Sequence, residues 1–248
     1  MAKYISDVIF EGELDHGSYL CGLPVVKHLK KHERLHLSKS VTFFVGENGT
    51  GKSTLLEAIA IAHGFNPEGG TVNFNFSTNK THSELCDHLT LARKAKPKDG
   101  FFLRAESVYN VATNIDKMDS EPSFDDPVIY SYGGVSLHKQ SHGESFLAIV
   151  QNRFGGKGLY ILDEPEAALS PMRIMTLMAA MDELVKDDSQ FIIATHSPIL
   201  MAFPDAEILE FSDNGIRSVP YKETEHYQVT KRFLEAPERM LKYLFDSK

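Results

Sequence analysis

The stretch "GENGTGKST", residues 46–54, decides the reading of this chain. It follows "VTFFV" (41–45), a continuous apolar run of the kind that fills a strand buried on both faces. It precedes "LLEAIAIAHGF" (55–65), which is apolar at helical spacing and is stopped by Gly64. The stretch fits the pattern G-x4-G-K-[ST] in full, in the strand–loop–helix setting that the pattern needs. The chemistry asks for each part. Glycines let backbone N–H groups turn toward one point, and the start of a helix adds partial positive charge there. Lys52 can reach the β and γ phosphates of a nucleotide, and the Ser53 hydroxyl can ligate Mg2+. Gly46, Glu47, Asn48, Gly49, Thr50, Gly51, Lys52, Ser53 and Thr54 are therefore the candidate nucleotide-binding residues. The loop by itself does not separate kinases, GTPases and ATPases.

A second stretch, "LYILDEPEAALSP" (159–171), narrows the choice. Asp163 ends an apolar strand, where a carboxylate can hold a Mg2+ shell beside the phosphate loop. Glu164 follows, and the alternation of side chains along a strand points it elsewhere, toward the γ-phosphate and an attacking water. No N-K-x-D base-reading motif accompanies the loop, so the carboxylate pair favours ATP hydrolysis over GTP chemistry. "FIIATHSP" (191–198) places His196 just past another buried strand, the place for a γ-phosphate sensor. A lone histidine there can equally be structural.

The rest of the chain supplies a frame. Residues 3–10 and "FFLR" (101–104) read as strands, and "TVNFNF" (71–76) alternates like one. Residues 106–118 read as helical, as do 141–154 up to Gly155-Gly156, and "PMRIMTLMAAMDELVKDD" (171–188) with Pro171 at its start. Ile208–Phe211 and Ile216–Val219 flank the hairpin signal "SDNG", and the tail from Glu223 reads as a terminal helix pair packed on the domain. Apolar strands alternating with helices predict an α/β fold, mostly parallel at its centre. The 248 residues, 42% of them apolar, suffice for a large core. The net charge of −8 argues against a surface coated with nucleic acid. Two local basic clusters, "KHLKKHERLH" (27–36) and "RKAKPK" (93–98), read as solvated faces first and as DNA or RNA contacts second. Cys21 and Cys86 have neither metal nor redox spacing and suit reduced thiols. "MAKYISDVIF" does not read as a signal peptide, and no window approaches the ~18 apolar residues of a membrane span. A cytoplasmic protein without a span of its own is the expectation.

Taken together these motifs resemble those of ABC-type ATPases. Gly46–Thr54 looks like their Walker A, Tyr160–Glu164 like their Walker B with its catalytic glutamate, and His196 like their switch histidine. The stretch "SHGE" (141–144) then looks like their signature, usually LSGGQ. Ser141 and Gly143 match it, whereas Gln140, His142 and Glu144 depart from it. Ser141 and Glu144 also form an S-x-x-E capping box. "DEPEAALSP" is similar to the form seen in soluble RecF-like and OLD-like ATPases, which act on DNA or in anti-phage defence. The stretch after His196 is short for the Toprim nuclease of OLD-type proteins. The one before the signature lacks the heptads of SMC-type proteins.

The resemblance implies one ABC-type ATPase domain over 1–248. Its central sheet would be mostly parallel, with an antiparallel β portion. A helical lobe at about 66–155 would carry the signature, and 222–248 would form C-terminal helices. It also implies ATP and Mg2+ as cofactors and a homodimer formed on ATP binding, with Ser141, His142, Gly143 and Glu144 acting in trans. An ATP-gated interaction module with negligible turnover, or the ATPase subunit of a transporter, are the alternatives. Two departures stand out. No glutamine lies between Ser53 and Lys139, so Glu106 in "RAES" is the stand-in for the usual Q-loop residue. Ser170 takes the place of the D-loop aspartate. Tyr19 is the candidate for stacking on adenine.

Overall fold

The computed structural model describes residues 4–15, 17–72, 83–122 and 126–246. Nine strands are named in chain order: β1 Ile5–Phe10, β2 Arg34–His36, β3 Val41–Gly46, β4 Leu89–Arg93, β5 Asp99–Arg104, β6 Gly158–Asp163, β7 Gln190–Ala194, β8 Glu207–Ser212 and β9 Gly215–Ser218. The helices are α1 Pro24–His32, α2 Lys52–His63, α3 Val108–Ser120, α4 His142–Arg153, α5 Pro171–Lys186, α6 Glu225–Glu235 and α7 Pro237–Asp246. Six strands form the main sheet in the order β5-β6-β7-β3-β8-β9, parallel throughout except for the β8–β9 hairpin. A smaller antiparallel sheet has the order β2-β1-β4.

Every residue of β3, β6 and β7 is buried, as their unbroken apolar runs require of strands covered on both faces. Their side chains alternate between two cores. Phe43, Tyr160, Leu162, Phe191 and Ile193 point to one side, where α3, α4 and α5 lay Ile115, Ile149 and Leu177 against them. Phe44, Leu159, Ile161 and Ile192 point to the other, against Leu55 and Ile59 of α2 and Ile5 and Val8 of β1. Emptying one such site, as in Phe43→Ala, removes ~3–5 kcal/mol.

The alternating β1 stands apart from the main sheet but is stitched to it. The Gln190 side chain at the start of β7 accepts from the Tyr4 and Ile5 N–H groups at 2.8 and 2.9 Å, and donates to Ile5 O at 2.8 Å.

Within 66–155, "LTLAR" and "DGFFLR" are strands that join the small and the main sheet respectively, and α3 and α4 follow them, with Ser141 at the start of α4. One expectation is corrected. The terminal helices form, but they do not pack on the domain along their length. Neither α6 nor α7 buries a residue, and Leu234, Tyr243, Leu244 and Phe245 stand exposed. The strand read over 71–76 falls mostly on 73–82, outside the described residues.

Candidate active site

The parallel strands end together, and the site lies at their carboxyl ends. β3 runs into the phosphate loop at Gly46, whose φ of +133° is open only to glycine and whose missing side chain leaves room for the carbonyl of Phe211 on β8. α2 then begins at Lys52, with its first N–H groups at the loop. Lys52 is 5% exposed, and its Nζ donates to the carbonyls of Gly46 and Glu47 at 2.8 Å each. The Thr50 hydroxyl closes the loop on Glu47 O at 2.9 Å. Burial pulls the Lys52 ammonium below its ordinary value against the pull of Glu164 and Asp163.

At the second residue of α2, the Ser53 hydroxyl donates to Asp163 Oδ1 at 2.9 Å, joining residues far apart in sequence. Asp163 is the last residue of β6 and is 6% exposed. Burial pushes its carboxyl up to about 6, opposed by Arg104 and by the Ser53 hydrogen bond. The two oxygens suit Mg2+, a hard cation that takes few protein ligands and keeps waters and phosphates as the rest. Their 2.9 Å separation fits the edge of an octahedron with bonds of about 2.0–2.1 Å. Among the described residues there is no cluster of three or more His, Cys, Asp or Glu for an all-protein metal cage.

Arg104, which sequence reasoning missed, sits beside this pair. It ends β5 directly opposite Asp163 in the parallel register. Its guanidinium spans three carboxylates: Asp163 at 3.3 Å, Glu57 at 2.8 Å and Glu106 at 3.1 Å. Glu106 therefore reaches the site, in a small pocket with Ser53, Arg104, Asp163 and Glu164, but through an arginine and with its own side chain 75% exposed.

Glu164 is placed by a different device from strand alternation. It lies past the strand end in a left-handed conformation (φ 47°, ψ 54°), uncommon and strained for a residue with a side chain. Its carboxylate comes 3.7 Å from His196 Nε2. The second glutamate of "DEPE", Glu166, is half-buried and holds the loop after β7. It accepts from the Thr195 hydroxyl at 2.8 Å and from the His196 backbone N–H. No role for it was read from the sequence. The only cue was its place two residues after the catalytic candidate. His196 Nδ1 lies 3.0 Å from Nε2 of His226 on α6, and His196 Nε2 is buried without a hydrogen-bond partner. Across a cleft of 940 Å3, the phosphate loop faces α6 residues including His226, Gln228 and Arg232. Tyr19 is 68% exposed and does not line this cleft.

The "SHGE" stretch is elsewhere. Ser141 caps α4 in a complete capping box with Glu144. Both are exposed and neither contacts the phosphate loop among the interactions of the described residues. His142 is exposed and Gly143 is buried. Arg173, in the first turn of α5, donates to Ser141 Oγ at 3.3 Å and pairs with Glu144 at 3.1 Å. A Cβ on Gly143 would come within 2.8 Å of Ala168 O, so only glycine lets α4 approach the turn that follows β6 this closely. The Ser170 hydroxyl caps α5.

This architecture, a parallel core with a phosphate loop after β3, an acidic end of β6 and a small antiparallel sheet alongside, is the fold of ABC-type ATPase domains. Comparison with known proteins agrees. Residues 25–104 match a family model described as "AAA domain", and residues 145–202 match one described as "AAA domain, putative AbiEii toxin, Type IV TA system". No curated protein matches the sequence. Among solved structures, the chain superposes on CbiO1 of Clostridium perfringens, part of the ABC transporter complex CbiONQ. The identity is 17% and the TM-score 0.50, over 98% of this chain and 100% of that one. It also superposes on an ABC transporter described as of the metal-chelate type in an inward-facing conformation, at 13% identity and a TM-score of 0.50, over 92% and 88% of the chains. At these identities the likeness is one of fold. No described helix is long and apolar enough to cross a membrane.

Proposed function

We propose that this chain binds ATP with Mg2+, hydrolyses it, and works as a homodimer whose two sites each draw on both copies. The observation that carries the reading is the Ser53–Asp163 hydrogen bond. It brings the phosphate loop and the acidic strand end to one point, with Glu164 and His196 converging beside it. Lys52 leaves the loop carbonyls to neutralise the β and γ phosphates, and the N-terminus of α2 adds its dipole. Ser53 and Asp163 would hold Mg2+, which when bound would neutralise charge on the phosphate oxygens. Glu164 orients and polarises the attacking water, and His196 donates to the γ-phosphate. The reading treats the whole chain as one ATPase unit, with Ser141 and Gly143 as the signature that reaches the partner's nucleotide.

Glu164→Gln tests the chemistry. It should keep ATP affinity and lower turnover by a factor on the order of 10²–10⁴, the scale of a positioned general base. Wild-type turnover in that variant would remove Glu164 from its role. His196→Ala should lower turnover with affinity largely kept, whereas a structural histidine would show itself as a fall in melting temperature alone. The setting proposed is a cytoplasmic one in DNA upkeep or anti-phage defence. It rests on the "DEPEAALSP" form.

A further inference from the structure

His226 belongs to none of the motifs, yet it touches the sensor candidate. It is the second residue of α6, and its Nε2 lies 3.0 Å from His196 Nδ1. The two rings are inclined at 54°, so they meet through a hydrogen bond and not by stacking. Both partners are held in place. The loop carrying His196 is fixed by Glu166. The start of α6 is capped by the Thr224 hydroxyl, and Tyr221 just before it donates from its hydroxyl to Pro198 O at 2.8 Å. The contact is therefore built on both sides.

A hydrogen bond between two imidazoles needs one N–H and one lone pair. Burial, and then the Lys52 charge, holds His196 below the ordinary histidine value. Burial, His196 and Lys52 do the same for His226, against Glu225 and Glu210. Both rings are then neutral near neutral pH, and each carries one N–H. Two arrangements exist. If His196 donates from Nδ1, its Nε2 presents a lone pair to the Glu164 carboxylate 3.7 Å away, and to any γ-phosphate that enters. Lone pair would face anion on both counts. If His226 donates from Nε2, His196 keeps its proton on Nε2 and faces both anions with a donor. The second arrangement also accounts for the buried His196 Nε2 without a partner: it is a donor whose acceptor is the ligand.

We infer that His226 is a positioning residue, whose Nε2–H fixes His196 as the Nε2–H tautomer and so keeps a hydrogen-bond donor aimed at the γ-phosphate. The inference rests on the reading of His196 as the sensor. It makes α6, which faces the phosphate loop across the cleft, part of the hydrolytic apparatus.

The test reads the tautomer directly. Long-range nitrogen–proton NMR of the nucleotide-free protein, labelled at histidine and held near neutral pH, should show His196 protonated at Nε2 and bare at Nδ1. His226→Ala should let the other tautomer appear and lower kcat by a factor on the order of ten, the worth of one hydrogen bond. KM and melting temperature should stay close to the wild type. His226→Gln, which returns an N–H donor at about the same reach, should restore both tautomer and kcat. A wild-type His196 protonated at Nδ1 would overturn the inference. So would a folded His226→Ala variant with unchanged kcat, or a folded His226→Gln variant that fails to rescue. If His196→Ala itself left turnover intact, the sensor reading would fall. The tautomer seen without nucleotide would still report on what His226 does.

Discussion

Asp163 is held in a place where burial works against its own charge. Its carboxyl is pushed up from 3.8 to about 6 by burial, despite Arg104 and Ser53. A carboxyl whose folded value lies above its unfolded one favours folding most when protonated. That contribution is complete below about pH 3.8 and is lost as the pH rises through about 6. Asp163→Asn imitates the protonated form. It should therefore melt higher than the wild type in nucleotide-free protein above about pH 6, by about 1–3 kcal/mol of stability, and the advantage should vanish in acid. Equal melting of the two proteins in the alkaline range would show that Arg104 neutralises the buried charge fully. The same variant should lose Mg2+-dependent turnover. The residues of the site that the sequence displayed were those set by short spacing: Lys52 with Ser53, Asp163 with Glu164. Arg104, Glu166 and His226 were hidden. Each acts through a partner brought close only by the fold, Arg104 on Asp163 across a strand pair and His226 on His196 from α6. Nothing in "LRAES" or "ETEHYQ" marks such a residue. Glu164 was legible as a residue but not as a conformation, since its left-handed turn replaces the alternation expected of a strand.

Among the elements, the buried strands and their helices were plain in the sequence because continuous apolar runs bounded by glycine or proline have few other uses. β4 was not, since "LTLAR" is short, half-buried and runs into a basic loop. How β1 attaches to the main sheet was equally invisible. One clamp is Gln190, a polar residue at the head of an apolar strand, fully buried and bonded to three backbone groups of Tyr4 and Ile5. Gln190→Leu keeps the volume and removes all three bonds. Leaving buried backbone groups without that partner should cost about 2–4 kcal/mol, measured as a lower urea midpoint. A midpoint equal to the wild type would mean that β1 is held by Ile5 and Val8 packing alone. A related link ties α4 to the sheet. Asp99 at the start of β5 pairs with Arg153 at 2.9 Å, and accepts from the Tyr160 hydroxyl and the Gly155 N–H, each at 2.9 Å. With Arg173 at the other end of α4, the capped helix is held at both ends to elements that lead to the site.

At the scale of the molecule, the order β5-β6-β7-β3-β8-β9 is what separates the capping box from the phosphate loop. That order involves crossovers that periodicity along the chain does not encode. The two basic clusters face solvent, with Lys30, Lys31, Lys94 and Lys96 exposed. If they hold nucleic acid, affinity should fall steeply with salt, and charge reversal at Lys30 and Lys31 should weaken it further. Salt-independent binding would return them to plain surface. The larger question is the dimer. Ser141 and Glu144 stand exposed at the start of a capped helix, anchored by Arg173. A helix start favours an anion even when it is capped, and in the proposed reaction the anion it meets is the one held by another copy of the chain. In the proposed homodimer a two-fold axis would let each copy offer its Ser141 and Gly143 to the other's γ-phosphate. Because such a phosphate bridges the subunits, ATP should stabilise the dimer and ADP release it. Light scattering should find Glu164→Gln with ATP and Mg2+ as a tight dimer, and the nucleotide-free protein as a monomer or a loose dimer. Ser141→Arg would set bulk and charge at the bridge. It should abolish closure and turnover while each copy still binds ATP. Mixing Ser141→Arg with Lys52→Ala is the sharper experiment. Neither variant works alone, yet a mixed dimer pairs the intact phosphate loop of the first with the intact signature of the second. Part of the turnover should return if one site suffices. Wild-type turnover by Ser141→Arg held as a strict monomer would reduce "QSHGES" to a helix cap.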